Sequence, residues 1–390
     1  MKRLALTSCW LFALAACAAA PVTKPSAPVV APAPISGPPL AVEGGERPND
    51  SGVEPFEIAM DDHHICVRDG GSVHCGKGNG TPLLAEPALG GIADAVSVST
   101  HASVVCLVTR RGTVHCRGPN LNGELGGRLR ADESKELVRV IGIEDATRVA
   151  VGEGHACVLR ANGVVACWGR NESGQTGSDT AYRSEARELV VPTPVPSLKD
   201  VVAIAPGDAS TCAVTATGET WCWGGALTRE QERAHGRTNE TPFRHASLAG
   251  LREVTAGGRG MCGTKDSDVI CWGDPYTLGQ KDPSKVLVKN VRRVRAGRSH
   301  ACALTHEGAV ICWGMNNDGE LGRPEQSDDK SWEPQGPGRV AGLPPAHDLA
   351  AGGAMTCAIT GRAEAMCWGG WPYGPQGRRH EYSPVKLVLR

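Results

Sequence analysis

The sequence has few aromatic residues and no excess of either charge. Phe, Trp and Tyr make up only 4% of its 390 residues. Lys and Arg total 41 against 42 Asp and Glu, which gives a formal net charge of −1. A nucleic-acid-binding surface needs a basic excess, so this balance argues against one.

Motifs that would indicate an enzyme or a metal site are also missing. The chain contains no Gly-x-Ser-x-Gly, His-Glu-x-x-His or phosphate-binding loop, and no Cys-x-x-Cys pair. The segment Asn316–Glu320 has the composition of a calcium loop but lacks its ligand spacing. We therefore expect no catalytic residue, no bound metal and no cofactor.

Glycine and cysteine, by contrast, are abundant. The sequence has 50 Gly and 16 Cys. Many glycines with few large side chains favour tight turns and short strands over long helices. A cysteine count this high is typical of proteins in oxidising compartments. The composition predicts a turn-rich β protein that is exported.

The first 16 residues have the pattern of a secretory signal. Lys2 and Arg3 precede an apolar stretch, Leu4 to Ala16, that is shorter than the roughly 20 residues a membrane span needs. The stretch ends in Leu-Ala-Ala-Cys17, which resembles the bacterial lipobox. That resemblance implies cleavage before Cys17, a lipid on its thiol, and delivery to the outer membrane because Ala18 is not Asp. A plain secretory signal with an incidental Cys17 is the alternative.

A proline-rich segment follows at 17–55. It contains nine prolines between Pro21 and Pro55, mixed with Ala, Val, Gly and Ser. Such a composition buries little surface and stays extended. We interpret 17–55 as a tether that holds a folded body, 56–390, away from a membrane.

The remaining cysteines form a repeat. Apart from Cys9 and Cys17, they fall into seven pairs with a separation of 9 or 10, and their first members recur every 40 to 55 residues. Self-similarity at such a period is typical of propellers and solenoids. The pairs are Cys66 with Cys75, Cys106 with Cys116, Cys157 with Cys167, Cys212 with Cys222, Cys262 with Cys271, Cys302 with Cys312, and Cys357 with Cys367.

The amino-acid sequence around the pairs also repeats. The clearest copies run from a Gly-x-x-His-Ala-Cys string, through a Gly-containing turn, to Cys-Trp-Gly at 167–169 and 312–314. An Asn-x-x-Gly-x-x-Gly string follows at 171–177 and 316–322, with a further copy at 120–126. These strings resemble the regulator of chromosome condensation repeat family, whose members fold as seven-bladed β-propellers. The family does not require the cysteines, which are this chain's own feature.

Each Cys pair fits a β-hairpin. Setting Cys302 opposite Cys312 places Leu304 opposite Val310 and Ala301 opposite Trp313, because opposed residues of an antiparallel pair have a constant index sum. One face of the hairpin then carries Cys, Leu and Val, and the other carries Ala and Trp. Both faces are apolar, so each sheet must be covered on both sides, as stacked propeller blades are.

Opposed cysteines on neighbouring strands can form a disulfide when their Cα atoms lie about 5.5 Å apart. Zinc and redox chemistry are the alternatives. Zinc pairs usually show a gap of two to four residues and converge on one place. A redox thiol usually sits in Cys-x-x-Cys at a helix start. We favour one structural disulfide in each of seven blades.

Two further features concern histidines and connectors. His64, His155 and His300 each precede a Cys by two residues, and we expect each to tie its strand to a neighbouring loop.

The longest connectors, 127–147, 178–200, 225–250 and 323–346, should emerge on one face, where binding residues are frequent. The mixed-charge loop Thr228–His245, with two aromatic residues nearby, is the candidate partner surface. Its residues are Arg229, Arg233, Arg237, Arg244, Tyr276 and Trp332.

The alternating tail Ser383–Arg390 has the pattern of a strand. We predict that 384–389 closes the ring by completing a sheet with the strand near Phe56–Ala59.

Two hypotheses for function follow. The first is a non-enzymatic lipoprotein of the bacterial envelope, anchored in the outer membrane by its lipid, whose monomeric propeller binds a protein or glycan. The second is an envelope enzyme that acts on polysaccharide or peptide at the propeller channel. It would require converging carboxylates or a metal; Glu172, Asp208, Asp274 and Asp318 lie near blade edges, but the sequence does not pair them.

Overall fold

The structure is a computed structural model. The chain separates into two units, Met1–Ala41 and Val42–Arg390, and the described residues all belong to the second. The predicted signal 1–16 and tether 17–55 lie outside the described residues. Among the residues that the structure describes, no helix is long and apolar enough to span a membrane. The described residues are 56–76, 87–178, 190–225, 227, 238–258, 260–273, 286–324, 333–361, 364–374 and 377–387.

The described residues form seven antiparallel sheets, each a meander of consecutive strands, and these are the seven blades of a β-propeller. Blade 1 has three strands in the described part of the chain, and the others have four. The strands of blades 1 to 3 are β1 (Glu57–Met60), β2 (Ile65–Asp69), β3 (Ser72–Gly76), β4 (Ala95–His101), β5 (Val104–Thr109), β6 (Val114–Pro119), β7 (Glu133–Arg139), β8 (Ala146–Val151), β9 (His155–Arg160), β10 (Val165–Gly169) and β11 (Thr193–Pro194).

Short 3-10 helices lie at Leu89–Gly91, between blades 1 and 2, and at Ala246–Leu248, between blades 4 and 5.

Blades 4 to 7 repeat the same strand order. The strands are β12 (Val201–Pro206), β13 (Ser210–Thr215), β14 (Thr220–Gly225), β15 (Thr238–His245), β16 (Glu253–Ala256), β17 (Gly260–Lys265), β18 (Asp268–Gly273), β19 (Val286–Val288), β20 (Val291–Ala296), β21 (His300–Thr305), β22 (Val310–Gly314), β23 (Gln335–Arg339), β24 (Asp348–Gly352), β25 (Met355–Gly361), β26 (Glu364–Gly374) and β27 (Gly377–Lys386).

The predicted hairpin register is confirmed. In blade 6, Cys302 lies opposite Cys312, Leu304 opposite Val310 and Ala301 opposite Trp313. The turn glycine Gly308 has φ 82°, a left-handed conformation that glycine adopts without the steric cost of a side chain. The spacing of the two cysteines around this turn therefore sets the pairing of the whole blade.

The core of the propeller is divided among the interfaces between blades. Seven clusters of buried apolar side chains lie in the described residues, and each joins two neighbouring blades. At the interface of blades 2 and 3, Cys106 and Cys116 pack with Ala156 and Trp168. The Cys face of one blade thus covers the Ala and Trp face of the next, as the alternation of residue types predicts.

All seven predicted disulfides form, one within each blade. In chain order they join Cys66 to Cys75, Cys106 to Cys116, Cys157 to Cys167, Cys212 to Cys222, Cys262 to Cys271, Cys302 to Cys312, and Cys357 to Cys367. Because every bond is between the two members of a predicted pair, the expected pairing within each hairpin is confirmed in every blade.

The geometry of the disulfides differs from the prediction in one respect. Their Cα atoms lie 4.0 to 4.1 Å apart. This is closer than the predicted separation of about 5.5 Å, and nearer the roughly 4.5 Å of opposed residues at the narrow positions of an antiparallel pair. Each of the fourteen except the partly buried Cys75 is at most 1% exposed. These cysteines are covalently paired and supply no metal ligand or redox thiol.

The connectors are not loops throughout where the structure describes them. Segment 127–147 contains β7, and segment 323–346 contains β23. Likewise, the second half of the predicted loop Thr228–His245 is strand β15, which pairs with β14. Part of each connector forms the outermost strand of its blade, which covers the third strand.

The predicted ring closure is also wrong. The tail belongs to β27, in which Lys386 pairs with Met366 of the same blade, whereas β1 pairs with β2. The ring is closed by side chains instead: Ile58 and Met60 of blade 1 pack with Met355 and Leu387 of blade 7, among others. The strand pattern of the tail is real, but it supplies the outermost strand of blade 7.

Candidate functional site at the channel mouth

One face of the propeller carries two sets of loops. The first set follows the third strand of a blade and contains the Asn-x-x-Gly-x-x-Gly strings. The second set consists of the corners between the first and second strands, where His101, Glu153, Asp208 and Arg298 lie around the central channel. We call this the loop face, and the opposite side, with the hairpin turns at Gly163 and Gly308, the turn face.

The asparagine of each string organises its loop. The Asn171 side chain donates to the Ser178 carbonyl at 3.1 Å and accepts a hydrogen bond from the Thr176 N–H at 2.9 Å. Asn316 does the same with the Arg323 carbonyl and the Leu321 N–H. Both groups of the amide are used inside the loop, so these asparagines are structural.

Indole groups join these loops to the next blade. The Nε1 of Trp168 in blade 3 donates to the Glu124 carbonyl in the loop of blade 2 at 2.7 Å. Trp223 and Trp368 make the equivalent bonds to Gln175 and Glu320, at 2.9 and 2.8 Å. The repeated Trp and the repeated loop are therefore two halves of one contact between blades.

Two of the three histidines tie their strand to the next blade, but to a strand of that blade and not to a loop as predicted. His155 Nε2 lies 2.9 Å from the Thr211 hydroxyl in the next blade, and that hydroxyl donates to the Gln175 carbonyl. His300 Nε2 lies 2.7 Å from the Thr356 hydroxyl, also in the next blade. Complete burial lowers the pKa of both His155 and His300 to about 4, so both are neutral at pH 7. The third, His64, approaches Asp61 of its own blade at 3.7 Å.

Asp61 joins the first two blades. It is 2% exposed, and it accepts hydrogen bonds from the Thr100 hydroxyl at 2.5 Å and the Ser103 N–H at 3.1 Å, both in blade 2. Burial alone would raise its pKa, but the contacts with His64, Thr100 and His63 outweigh burial and lower it to about 2. Asp61 is therefore ionised, and its carboxylate joins blade 1 to blade 2.

The corners of blades 3 to 7 form a chain of backbone hydrogen bonds around the channel. The N–H of Glu153 donates to the carbonyl of Gly207 at 3.1 Å, and the N–H of Asp208 donates to Gly258 at 3.1 Å. Arg298 continues the chain by donating to Gly353 at 2.8 Å. A backbone hydrogen bond therefore holds the corner of one blade next to the corner of the following blade, and this contact recurs around the channel.

Glycine precedes most of these corner residues for a steric reason. A Cβ atom at Gly152 would lie 2.5 Å from the carbonyl oxygen of Gly207. The position five residues before the first Cys of a repeat is glycine in blades 3 to 7, but it is His101 in blade 2 and Asp61 in blade 1. The imidazole of His101 is thus placed at a corner where five other blades have no side chain.

Three side chains from consecutive blades converge at the channel mouth. His101, Glu153 and Asp208 each offer one ligand-type atom, and these atoms lie within 4.8 Å of one another. His101 Nε2 is 3.4 Å from Glu153 Oε2, and the two side chains are 28% and 49% exposed. The hydrogen bond from His101 lowers the pKa of Glu153, against the opposing effect of burial. Among the described residues, this is the arrangement suited to hold a metal ion.

The channel behind the mouth is lined by charged residues of the first strands. Arg295 of β20 pairs with Glu253 of β16 at 3.2 Å, and Arg293 pairs with Asp348 of β24. Burial lowers the pKa of Arg148, with Glu57 acting in the opposite direction. These two pairs join opposite charges of neighbouring blades.

The predicted partner surface lies mostly outside the described residues. This holds for Arg229, Arg233, Arg237, Tyr276 and Trp332, and also for the predicted lipid site Cys17. Arg244 is described: it lies on β15, is 57% exposed, and pairs with Glu219 at 2.9 Å.

Only one member of the converging cluster is a candidate on sequence grounds. The sequence identifies Asp208 as a carboxylate near a blade edge, whereas no motif singles out His101 or Glu153. A signal does exist in the aligned repeats, because His101 replaces the corner glycine and Glu153 and Asp208 both lie four residues before a paired Cys.

The other predicted carboxylates do not join the cluster. Glu172 pairs with Arg170 at 2.7 Å, and Asp274 lies outside the described residues. Asp318 lies in the loop that follows β22, where its N–H donates to Glu320 of the same loop at 2.8 Å.

Two family models match the chain, both described as the regulator of chromosome condensation (RCC1) repeat. One matches residues 146–175 and 291–320, and the other matches 162–214 and 307–359. The matches include blades 3 and 6, whose sequences show the repeated motifs most clearly.

Curated relatives match at lower coverage. The E3 ubiquitin-protein ligase HERC2 of Homo sapiens is 28% identical over 266 residues, which is 62% of this chain and 5% of the ligase. The RCC1 domain-containing protein RUG3, mitochondrial, of Arabidopsis thaliana is 29% identical over 252 residues, 57% of this chain and 53% of its own. The chain thus spans a twentieth of the first relative and about half of the second.

Solved structures support the fold. Human WBSCR16 aligns with a TM-score of 0.64 and 20% identity, covering 79% of this chain and 88% of its own. Prp20p of Saccharomyces cerevisiae aligns with a TM-score of 0.59 and 22% identity, covering 72% and 75%. Together with the seven blades and the matched repeats, these likenesses show that the chain is a seven-bladed β-propeller of the regulator of chromosome condensation repeat type, with one disulfide in each blade.

Proposed function

We propose that this chain is an exported, lipid-anchored protein of the bacterial envelope whose propeller binds a protein partner and catalyses no reaction. The observation that carries the proposal is the set of seven disulfides, one in each blade. Such a set persists in an oxidising compartment and would be reduced in a bacterial cytosol. The lipobox-like Leu-Ala-Ala-Cys17 supports anchoring, and 17–55 would then act as the tether.

Likeness to known propellers supports protein binding. The structure of Prp20p is described together with its binding to Gsp1p and histones, and another solved structure holds Kap60 bound to yeast RCC1. An exported chain meets none of these partners, and its net charge of −1 offers histones no acidic excess. What carries over is the use of a rigid propeller face for docking another protein.

The loop face is the better docking surface among the described residues. Leu121, the most exposed of the large apolar side chains there, is 51% exposed in the loop that follows β6. The exposed pair Arg170 and Glu172 lies in the corresponding loop of blade 3. Asparagine hydrogen bonds within the loops and indole hydrogen bonds from the next blade hold these loops, so binding a partner would cost little ordering entropy.

The anchoring part is tested by labelling cells with a radioactive fatty acid. The intact protein should carry label and fractionate with the outer membrane. The variant Cys17→Ala should lose both, whereas the control Cys9→Ala changes a cysteine inside the predicted signal and should keep both. Label that persists in Cys17→Ala contradicts lipidation at this residue, and an unlabelled but periplasmic protein would favour a plain secretory signal.

The binding part is tested by cross-linking on intact cells with two matched variants. Leu121→Asp changes the loop face, and Ile141→Asp changes a 37% exposed residue in the connector before β8, on the side of the turn face. A protein partner should be captured by the unmodified chain and by Ile141→Asp, and lost with Leu121→Asp. If all three chains capture the same amount of the protein partner, docking at the loop face is contradicted. If only glycan is captured, the partner is a glycan and not a protein.

The convergence of His101, Glu153 and Asp208 favours one second candidate, an envelope hydrolase that acts on polysaccharide or peptide. An enzyme at the channel needs carboxylates or a metal that meet at its mouth, and this cluster meets that requirement. Activity against a panel of cell-wall substrates that disappears in Asp208→Asn but persists in Glu172→Gln would replace the scaffold proposal. Absence of any activity in the intact protein would exclude this candidate.

A further inference from the structure

We propose that His101, Glu153 and Asp208 bind one divalent transition-metal ion of the kind that Zn²⁺ represents, at the channel mouth on the loop face. The three residues come from the corners of blades 2, 3 and 4, and their ligand atoms lie within 4.8 Å of one another. The site is independent of the docking proposal, because it requires neither a partner nor a lipid anchor.

The spacing of the cluster fits a metal ion. Zn²⁺ binds imidazole nitrogen and carboxylate oxygen at about 2.0–2.2 Å, so two ligands of a tetrahedral site lie about 3.4 Å apart. His101 Nε2 and Glu153 Oε2 are 3.4 Å apart. The Asp208 carboxylate lies within 4.8 Å of both, so a small side-chain rotation completes the set.

The backbone holds the three corners in place. The N–H of Val151 donates to the Ser99 hydroxyl at 3.1 Å, which fixes blade 3 to blade 2 just before the cluster. The Glu153 N–H donates to Gly207, and the Asp208 N–H donates to Gly258, each at 3.1 Å. Because the main chain at Glu153 and Asp208 is fixed from both sides, metal binding would have to order only side chains.

The donor set selects the type of ion. One imidazole and two carboxylates suit Zn²⁺, Mn²⁺ and related ions, whereas Ca²⁺ and Mg²⁺ prefer oxygen ligands throughout. Among divalent ions of the first transition row, affinity rises from Mn²⁺ to Cu²⁺ and falls again at Zn²⁺, so this order favours Zn²⁺ over Mn²⁺ but not over Cu²⁺. Three protein ligands leave a fourth position for water or for a group on a partner. The cluster is 28% exposed at His101 and 49% at Glu153, so an ion can reach it.

A bound ion would also join three blades. It would add a link between blades 2, 3 and 4 that is present in the folded protein and lost on unfolding. A ligand that binds only the folded state raises the free energy of unfolding by RT ln(1 + [L]/Kd). We therefore expect Zn²⁺ to raise the melting temperature in a concentration-dependent way.

The test is calorimetric titration of the full chain, after treatment with a chelator, with Zn²⁺ and separately with Ca²⁺ and Mg²⁺. We expect one equivalent of Zn²⁺ to bind, and at least tenfold weaker binding in each of His101→Ala, Glu153→Gln and Asp208→Asn. The control His306→Ala removes an exposed imidazole from the hairpin turn of blade 6 and should bind like the intact chain. His101→Gln keeps a polar side chain at the corner and should also lose binding if the imidazole is a ligand.

Co²⁺ titration identifies the ligands by absorption. Nitrogen and oxygen ligands give weak d–d bands, whereas a cysteine ligand would add an intense sulfur-to-cobalt charge-transfer band. The d–d bands should be present in the intact chain and absent in His101→Ala. Equal titration of the intact chain and His101→Ala, a charge-transfer band that disappears with Cys17→Ala, or tighter binding of Ca²⁺ than of Zn²⁺ would each overturn the proposal. None of these outcomes affects the docking test, which uses Leu121→Asp.

Discussion

The indole Nε1 of Trp168 donates a hydrogen bond to the carbonyl of Glu124 across the boundary between blades 3 and 2, at 2.7 Å. The same indole is 1% exposed and packs in one cluster with Cys106 and Cys116, the disulfide of blade 2. One side chain therefore binds both the loop and the disulfide of the preceding blade. Each repeat of the sequence thus receives part of its packing and hydrogen bonding from the Trp of the next repeat.

This relationship predicts different costs for the same substitution in two blades. Trp168→Phe removes indole volume and also leaves the buried Glu124 carbonyl without its donor. Trp272→Phe removes the same volume, but the Nε1 of Trp272 has no hydrogen-bond partner in the described residues. A net hydrogen bond contributes about 1 kcal/mol, so Trp168→Phe should be the more destabilising by about that amount in urea unfolding. Equal losses would show that the indole hydrogen bond contributes nothing.

Removal of one disulfide should destabilise the propeller without unfolding it. The bond between Cys302 and Cys312 closes a loop of about ten residues, and the chain-entropy model gives roughly 2.5–3 kcal/mol for such a loop. We expect the double variant with Cys302→Ala and Cys312→Ala to lose about that much in free energy of unfolding. Cys9→Ala, outside the seven pairs, should lose none. Identical unfolding curves for the double variant and the intact chain would contradict a structural role for the disulfides.

Acidification should weaken the propeller in two separate windows. The folded-state pKa of His155 and of His300 is about 4, below the value of about 6.5 in an unfolded chain. Below pH 6.5 the unfolded state binds protons that the folded state does not, so stability falls as the pH drops from about 6.5 to about 4. The loss is up to about 3 kcal/mol for each histidine. Asp61, with a pKa of about 2, contributes stability that is lost only below about pH 4.

Melting temperatures measured between pH 7 and pH 3 check this prediction. The double variant with His155→Gln and His300→Gln keeps polar groups that can bond Thr211 and Thr356 but cannot titrate. Its melting temperature should vary less between pH 6.5 and pH 4 than that of the intact chain. Parallel curves for the two proteins would mean that these histidines are not buried in their neutral form.

The seam between blades 7 and 1 should not tolerate a side chain at Gly352. A Cβ atom there would overlap the carbonyl oxygen of Met60, whereas a Cβ at Gly336 would meet nothing within 4 Å. We expect Gly352→Ala to lower the melting temperature by several degrees and Gly336→Ala to leave it nearly unchanged. Equal melting temperatures for the two variants would contradict close packing at the seam.

The sequence is sufficient to predict the blades but not what joins them. The register of Cys302 and Cys312 follows from an index sum, because opposed residues in a hairpin are related by the turn alone. The predicted closure of the ring is wrong, because the pattern of 384–389 identifies a strand but not the strand that it pairs with. Packing of Met60 against Met355 depends on the angle between the first and last blades, which no local pattern encodes.

The candidate metal site shows the same limit. His101, Glu153 and Asp208 are separated by 52 and 55 residues, and each is a single polar residue beside a repeated string. Their convergence depends on the distance between neighbouring corners, which is set by the hydrogen bond from Glu153 to Gly207. Alignment of the seven copies identifies His101 as a departure from glycine, but not which side chains it meets.

The most direct test of the account is the intact mass of the protein isolated from membranes, alkylated before and after reduction. Fourteen cysteines paired within seven blades predict that none of them is alkylated without reductant and that all fourteen are alkylated after it. Peptide mapping of the unreduced protein should join Cys66 to Cys75 and each later pair in the same way. Free thiols among the fourteen, or disulfides between different blades, would contradict both the propeller with one disulfide in each blade and the proposal that it is an exported protein that binds a partner.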